Sequence, residues 1–511
     1  MNQLSYIFLS LLFLFMISCN NENRIPDTAK TINKPLKITP DYNEITIPPN
    51  MAPLNFRIDE PAELYLVRIT SKSSTRIIVY SNDGKIIIPS SEWHAILDEN
   101  RGTSIAYDIF LKKGDWYQYR SFKNYIAHEP VDRYVIYRKI HPSHNTWSEM
   151  GLYQRDLNTF DEETILDNNN FQQGCCHCHS FLNNTPEKIL IGIRSPEYKS
   201  GLLLVDKKEV KEIGTRFGFT TWHPNGNLIV FSMNKPRLLL HTERNEMRDI
   251  VDLDSWVGYF DLSMNKAKPV PSLARKDRLE NYPVFSPDGT YLYYTEAPKL
   301  WTDTKKIPVP EYRDVKYSLM RIPYNPHTDQ WGEPELILSS QETGLSINQP
   351  RISPDGHWIS FSMCAYGCWP SYHPNSDLYL LDLQVKRESG GYSYKKMEIN
   401  SDECESWQGW STNSRWLVFS SKRNNPLYNR IHLAYIDQTG KLHKAFVIPQ
   451  KDPDFYASYL KTYTIPELLS SPVEVKGEEL ARSIRSTEKI PMEMPITGAT
   501  VKTESRQIYH Q

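Results

Sequence analysis

Four short segments of this chain repeat one design, and the repeat limits the fold more than any other feature. Each places an aromatic or apolar residue before Ser or a substitute, Pro, Asp or Asn, and Gly, and an alternating apolar strand follows. They are Trp222-His223-Pro224-Asn225-Gly226 before Leu228 to Met233, Phe285-Ser286-Pro287-Asp288-Gly289 before Tyr291 to Tyr294, and Ile352-Ser353-Pro354-Asp355-Gly356 before Trp358 to Phe361. The fourth is degraded: Trp410-Ser411-Thr412-Asn413-Ser414 before Trp416 to Phe419. Proline presets φ, the Asp side chain bonds the backbone two residues on, and Gly accepts positive φ, so each segment predicts a tight hairpin turn. A period of about 60 residues carrying four strands is the layout of a propeller blade. Two more units keep the strand order without the motif, Phe181 to Ile193 and Tyr125 to Leu157. The expected fold is therefore all-β, a β-propeller of six blades with five or seven as the neighbouring counts, preceded by a small β-sandwich. The 31 Tyr and 35 Pro suit such a turn-rich β chain.

These segments resemble the WD40-like repeats of TolB-type β-propellers, over roughly residues 130–447. The resemblance implies that the innermost strand of each blade ends in the Ser-Pro-Asp-Gly hairpin. Loops that lead into innermost strands then gather at the other end of the central channel.

Cys178 to Leu182 falls in one of those strands or at the entry to it, and the run Gly174-Cys175-Cys176-His177-Cys178-His179-Ser180 leads into it. Cys175-x-x-Cys178-His179 has the spacing that attaches a c-type haem, two thiols bonding the vinyl groups and His179 becoming an axial iron ligand. The same residues could form a Zn or Cu site, a redox dithiol or a disulfide. With haem bound, the sixth ligand would come from His241, Met233 or Met363, His177 being too close to His179. Together with Cys175, Cys178 and His179 these are the candidate cofactor residues, for one covalent haem c. Glu280 and Glu405 are a candidate acid–base pair only if folding brings them together. No G-x-S-x-G elbow or H-E-x-x-H helix occurs. The segment Cys175 to Phe181, with Asp452-Pro453-Asp454-Phe455-Tyr456, resembles a group of Bacteroidetes-type exported TolB-like proteins often called cytochrome c biosynthesis proteins.

Compartment bears on that choice. Residues Tyr6 to Ile17 form an apolar run of about a dozen, the length of a signal-peptide core and too short to span a bilayer. Ser18-Cys19 at its end resembles a bacterial lipobox, although no Lys or Arg precedes the run and Met16 stands where Leu is usual; an ordinary cleaved signal is the alternative. Lipidation at Cys19 would place the protein in a Gram-negative cell envelope, periplasm-facing or on the outer-membrane surface, held to the membrane by the lipid anchor alone. Cys176, Cys364, Cys368 and Cys404 remain as possible disulfide partners. A formal net charge of -2, from 59 basic and 61 acidic residues, gives no reason to expect nucleic acid.

The expected organisation is a signal peptide over 1–19, a flexible tether over 20–50, a β-sandwich over 51–120, the propeller over 121–447, and a wrap and disordered tail over 448–511. Function is expected to be electron transfer or haem-linked binding with a redox or envelope protein partner, rather than enzyme catalysis. The alternative is a haem-free scaffold that docks a protein or peptide, its loops braced by disulfides.

Overall fold

The structure is a computed structural model that describes residues 26, 28–72, 75–142, 149–215, 217–240, 248–388 and 390–491, the side chain of His177 excepted. The described chain divides into two compact units.

The first unit comprises the N-terminal part up to His128 together with Pro449–Ser458. Its larger sheet runs Lys30–Ile32, Asp115–Tyr119, Ser104–Lys113, Phe122–Ile126 and Thr46–Ile47, with Leu64–Thr70 paired to Ser104–Lys113 and Arg76–Ser81 paired to Leu64–Thr70. A second sheet pairs Ile38–Thr39, Phe56–Ile58 and Lys85–Ile86. A helix absent from the sequence reading, Ser90–Glu99, buries Trp93, Ile96 and Leu97. Two expectations are corrected here. Residues 28–50 are not a tether: Ile45 and Ile47 are buried, and the Ile45 N–H donates to Asn124 Oδ1 at 3.0 Å. The segment after the propeller repeats returns to this unit, where Asp454 meets Arg57 at 2.6 Å and Asp452 meets Lys85 at 2.9 Å.

The second unit is a six-bladed β-propeller. From the axis outward, blade 2 is Cys175–Phe181, Lys188–Arg194, Gly201–Asp206 and Glu209–Ile213. Blade 3 is Thr220–Trp222, Leu228–Leu240, Arg248–Asp261 and Lys266–Pro269. Blades 4, 5 and 6 begin with Arg278–Phe285, Ser346–Ile352 and Glu405–Trp410. Blade 1 is assembled from both ends of the unit. Tyr134–Ile140, Gly151–Asp156 and Glu162–Asp167 are its outer strands, and its innermost strand is Thr462–Leu469, antiparallel to Tyr134–Ile140. The six innermost strands neighbour one another in a closed ring.

Local chemistry explains the blades. Gly226, Gly289 and Gly356 take φ of 74°, 72° and 73°, and the Gly289 N–H closes its turn on the Ser286 carbonyl at 2.8 Å. Apolar faces of successive blades interlock: Ile136 and Leu166 of blade 1 share a core with Ile191 and Leu203 of blade 2, and so on around the ring. The expected tail is corrected. Tyr463, Ile465, Leu468 and Leu469 are buried in the innermost position, and the helix Gly477–Arg485 buries Leu480, Ala481 and Ile484 against blades 1 and 2.

Candidate functional site: the axial channel and the blade 3 ribbon

A bulge recurs at one level of the innermost strands. The register slips between Cys176 and His179, Asn281 and Val284, Asn348 and Arg351, and Ser406 and Gly409; in blade 1 it slips opposite Tyr137, at Ile465-Pro466. Each bulge gives two residues to one on the partner strand, which re-aims side chains. Tyr282, Gln349, Trp407 and Ile465 sit there at φ of 50°, 54°, 55° and 55°, and His177 holds the same register position. Such bulky residues at positive φ each cost about 1–3 kcal/mol, a strain that concentrates at functional positions. Proline follows three of them, as Pro283, Pro350 and Pro466, where no ladder N–H is required.

Two layers result. Toward the loop end, Phe219 stacks on Tyr282 with ring centroids 3.9 Å apart and lies 6.1 Å from Trp407 and 5.5 Å from Trp369. Cys178, Ile465 and Cys368 complete this apolar stopper, and the Tyr282 hydroxyl donates to the Cys368 carbonyl. Toward the turn end the first position after the bulge is His179 in blade 2, Arg351 in blade 5 and Glu467 in blade 1. His179, Thr220, Gln349, Arg351 and Gln408 line a cavity of about 30 Å³.

This layer is electrostatically unusual. Both ring nitrogens of His179 are buried without a hydrogen-bond partner; the Ile465 backbone lies close but outside bonding geometry. Burial, reinforced by the nearby Arg138 and Arg351 guanidinium groups, pulls His179 down to about 3. Burial likewise raises Glu467 to about 7, against the opposing pull of Arg351, whose Nη2 is 3.4 Å from Glu467 Oε1.

These residues as folded do not fit a covalently attached haem. Thioether attachment needs a turn that brings both sulfurs to one edge of the macrocycle. Here Cys175–Phe181 is a strand, with Cys175 opposite Arg194 and Cys176 opposite Ile193. Cys175 enters the core between blades 1 and 2, whereas Cys178 enters the axial cluster. The cavity beside His179 is about 30 Å³, against about 300–1,000 Å³ for pockets that enclose drug-sized ligands. Thiolate chemistry is disfavoured too, because burial pushes Cys176 up to about 12 and Cys178 up to about 11.

The other candidates disperse. Met233 packs on the core between blades 2 and 3 and Met363 on that between blades 4 and 5, so neither faces the axis. His241 and Cys19 lie outside the described residues, as does the side chain of His177. Cys176, Cys364 and Cys368 are thiols rather than disulfides, and the Cys404 Sγ–H points at the Pro370 carbonyl at 3.4 Å. Glu280 accepts from the Val257 and Ala274 N–H groups, while Glu405 accepts from Ser401 and Ser421 and pairs with Arg423. Each carboxylate is thus consumed within its own part of the ring, and the two do not form an acid–base pair. Among the described residues no three His, Cys, Asp or Glu side chains are placed to share a metal ion. Sequence reasoning missed Arg138 and Glu467; Pro283 and Pro350, each three residues before the turn Ser, were the available signal for the bulge.

A second feature stands at the loop end. The middle strands of blade 3 are 13 and 14 residues long, yet Thr220–Trp222 pairs only with Ile229 to Phe231, and Lys266–Pro269 only with Gly258 to Asp261. Asn234 to Leu240 and Arg248 to Ser255 therefore form a two-stranded ribbon beyond the blade. One face carries Leu239 and Val251 onto Tyr312 and Trp301, and Asp249 accepts from the Tyr366 hydroxyl at 2.9 Å. The opposite face sets Leu238 across from Ile250 and Leu240 across from Arg248; Leu238 is 42% and Leu240 53% exposed.

No family model matches the chain, and no curated protein matches it. Among solved structures it is similar to TolB from Acinetobacter baumannii, at 13% identity and a TM-score of 0.41, over 74% of this chain and 85% of that one. A putative 6-phosphogluconolactonase from Bacteroides uniformis gives 11% identity and a TM-score of 0.36, over 78% and 99%. An oligogalacturonate lyase in complex with manganese gives 12% and 0.31, over 81% and 99%. At these scores the propeller assignment rests on the strand order itself.

Proposed function

We propose that this protein is a haem-free propeller scaffold of the bacterial cell envelope, anchored through lipid on Cys19, that docks a segment of a partner protein on the blade 3 ribbon. The ribbon carries this reading. Its inner face is fixed by a small apolar core, its outer face presents Leu238, Ile250 and Leu240, and among the described residues neither edge of its outer part is paired with another strand. An unpaired edge beside exposed aliphatics is the arrangement on which an extended partner segment adds as a further strand. No helix among the described residues is long and apolar enough to cross a membrane, so the lipid would supply the attachment.

The test is site-specific photo-crosslinking in the cell of origin. A crosslinking residue at Leu240 is expected to give one discrete protein adduct that Leu238→Asp abolishes, while the same residue at Leu336 or Val385, exposed on other blades, gives none. Absence of a ribbon-specific adduct removes the proposal. A second measurement separates it from the electron-transfer reading. Protein made in a strain competent for cytochrome c maturation is expected to show no c-type α-band in a pyridine haemochrome assay, and a band lost in Cys175→Ala would restore haem.

A further inference from the structure

We infer that the turn-end half of the axial channel is a binding site for a carboxylate, held by Arg351, His179 and Gln349 and favoured by the charge of Arg138. This site is separate from the ribbon and does not depend on it.

The groups there are short of acceptors. Arg138 spends its Nε on Thr464 Oγ1 at 3.0 Å and has no acidic side chain within ion-pair distance among the described residues. Arg351 has one long contact, to a Glu467 that burial holds toward its neutral form. Gln349 Nε2 is buried with no acceptor in hydrogen-bonding geometry, while its Oε1 takes the Trp407 N–H at 2.8 Å. His179, 2% exposed and lining the cavity, has both nitrogens unpartnered and, being neutral, offers one N–H. One guanidinium group, an amide and an imidazole thus line the cavity with surplus donors, and Arg138 adds a second positive charge near enough to act on His179. A buried donor without an acceptor is costly, and an arginine fork matches a carboxylate's two oxygens.

Size sets which carboxylate. A cavity of about 30 Å³ admits a head group and no more. Arg351, whose side chain is 29% exposed, marks the side on which anything longer would leave. The ligand is therefore either a free short-chain carboxylate or the C-terminal carboxylate of a peptide threaded from the turn end.

The experiment titrates the full chain with formate, acetate, acetamide, and a Gly-Gly-Ala peptide with a free or amidated C-terminus, reading the thermal midpoint and tryptophan fluorescence. Acetate is expected to raise the midpoint saturably and acetamide to leave it unchanged. Binding of formate and acetate alone identifies a free short-chain ligand, whereas preference for the free-carboxyl peptide identifies a chain terminus. Arg138→Gln and Arg351→Gln are each expected to weaken binding at least tenfold, with Lys396→Gln on the outer strand of blade 5 as the unaffected control. The inference is overturned if acetamide or the amidated peptide acts as well as the acid, if no probe gives a saturable response, or if the double glutamine variant binds unchanged. Should the arginine variants not fold, the acetate–acetamide contrast in the unmodified protein decides the matter.

Discussion

A chain that stops after Leu460 is expected to lose its propeller, although every Pro-Asp-Gly turn and all six blade cores' outer strands remain in it. What it lacks is Thr462–Leu469, the innermost strand of blade 1. Tyr463, Ile465, Leu468 and Leu469 are each at most 3% exposed, and full burial of such side chains is worth about 1.5–3 kcal/mol apiece. Their sum, about 6–12 kcal/mol, is comparable to the entire stability of an ordinary domain, about 5–15 kcal/mol. The loss also strips the Tyr134–Ile140 edge of its ladder and opens the ring between blades 6 and 2. Because Pro449–Ser458 is retained, the first unit keeps its ion pairs to Arg57 and Lys85. Thermal unfolding followed by near-UV circular dichroism should show no cooperative propeller transition in the truncated chain, and a peptide of residues 461–491 should restore part of it. A cooperative transition in the truncated protein, unchanged from full length, would mean that five complete blades and an open sixth suffice.

That strand was also the hardest to read. The turns were legible because their chemistry is local: Pro, Asp and Gly within four residues specify a hairpin wherever they occur. Thr462–Leu469 has no such mark. Pro466 argues against a paired strand, Glu467 against a buried one, and Arg138 pairs with Thr464 from 326 residues away. The haem-attachment spacing is limited in a related way. Cys-x-x-Cys-His is a spacing, and spacing does not state whether the backbone turns or extends; the blade repeat around it, with Ser180-Phe181 leading to a hairpin, favours extension. The bulge residues were hidden differently. Tyr282, Gln349, Trp407 and Ile465 are types that propensity never assigns to positive φ, so closure of the ring, and not their own preference, holds them there. The polar layer draws His179, Arg351 and Glu467 from three blades, which no local window contains.

His179→Phe is the substitution in which stability and binding should move in opposite directions. Above pH 6.5 the ring is neutral folded and unfolded, and the cost is that of two buried nitrogens with no partner, about 1–3 kcal/mol for each unsatisfied group. Phenylalanine removes that cost and can meet Phe181, whose ring centroid is 5.6 Å from that of His179. Below pH 6.5 a second term appears. The unfolded imidazole takes up a proton that the folded one, pulled down to about 3, refuses, so the unfolded state binds more protons and stability falls as pH drops from 6.5 toward 3. At 1.36 kcal/mol per pH unit this amounts to about 2 kcal/mol at pH 5. The buried acids Glu280, Glu467 and Asp252, held up at about 7, 7 and 6, slope the other way, and His432, also pulled down by burial, slopes the same way. All four are common to both proteins and cancel in the difference. Urea unfolding should therefore find the variant more stable at pH 8 and more stable still, by about 2 kcal/mol, at pH 5, while its acetate response weakens. A histidine that merely fills the core would give the stability gain without the loss of binding. A variant less stable at both pH values would show that the ring nitrogens are partnered, which would take away the donor surplus on which the carboxylate site depends.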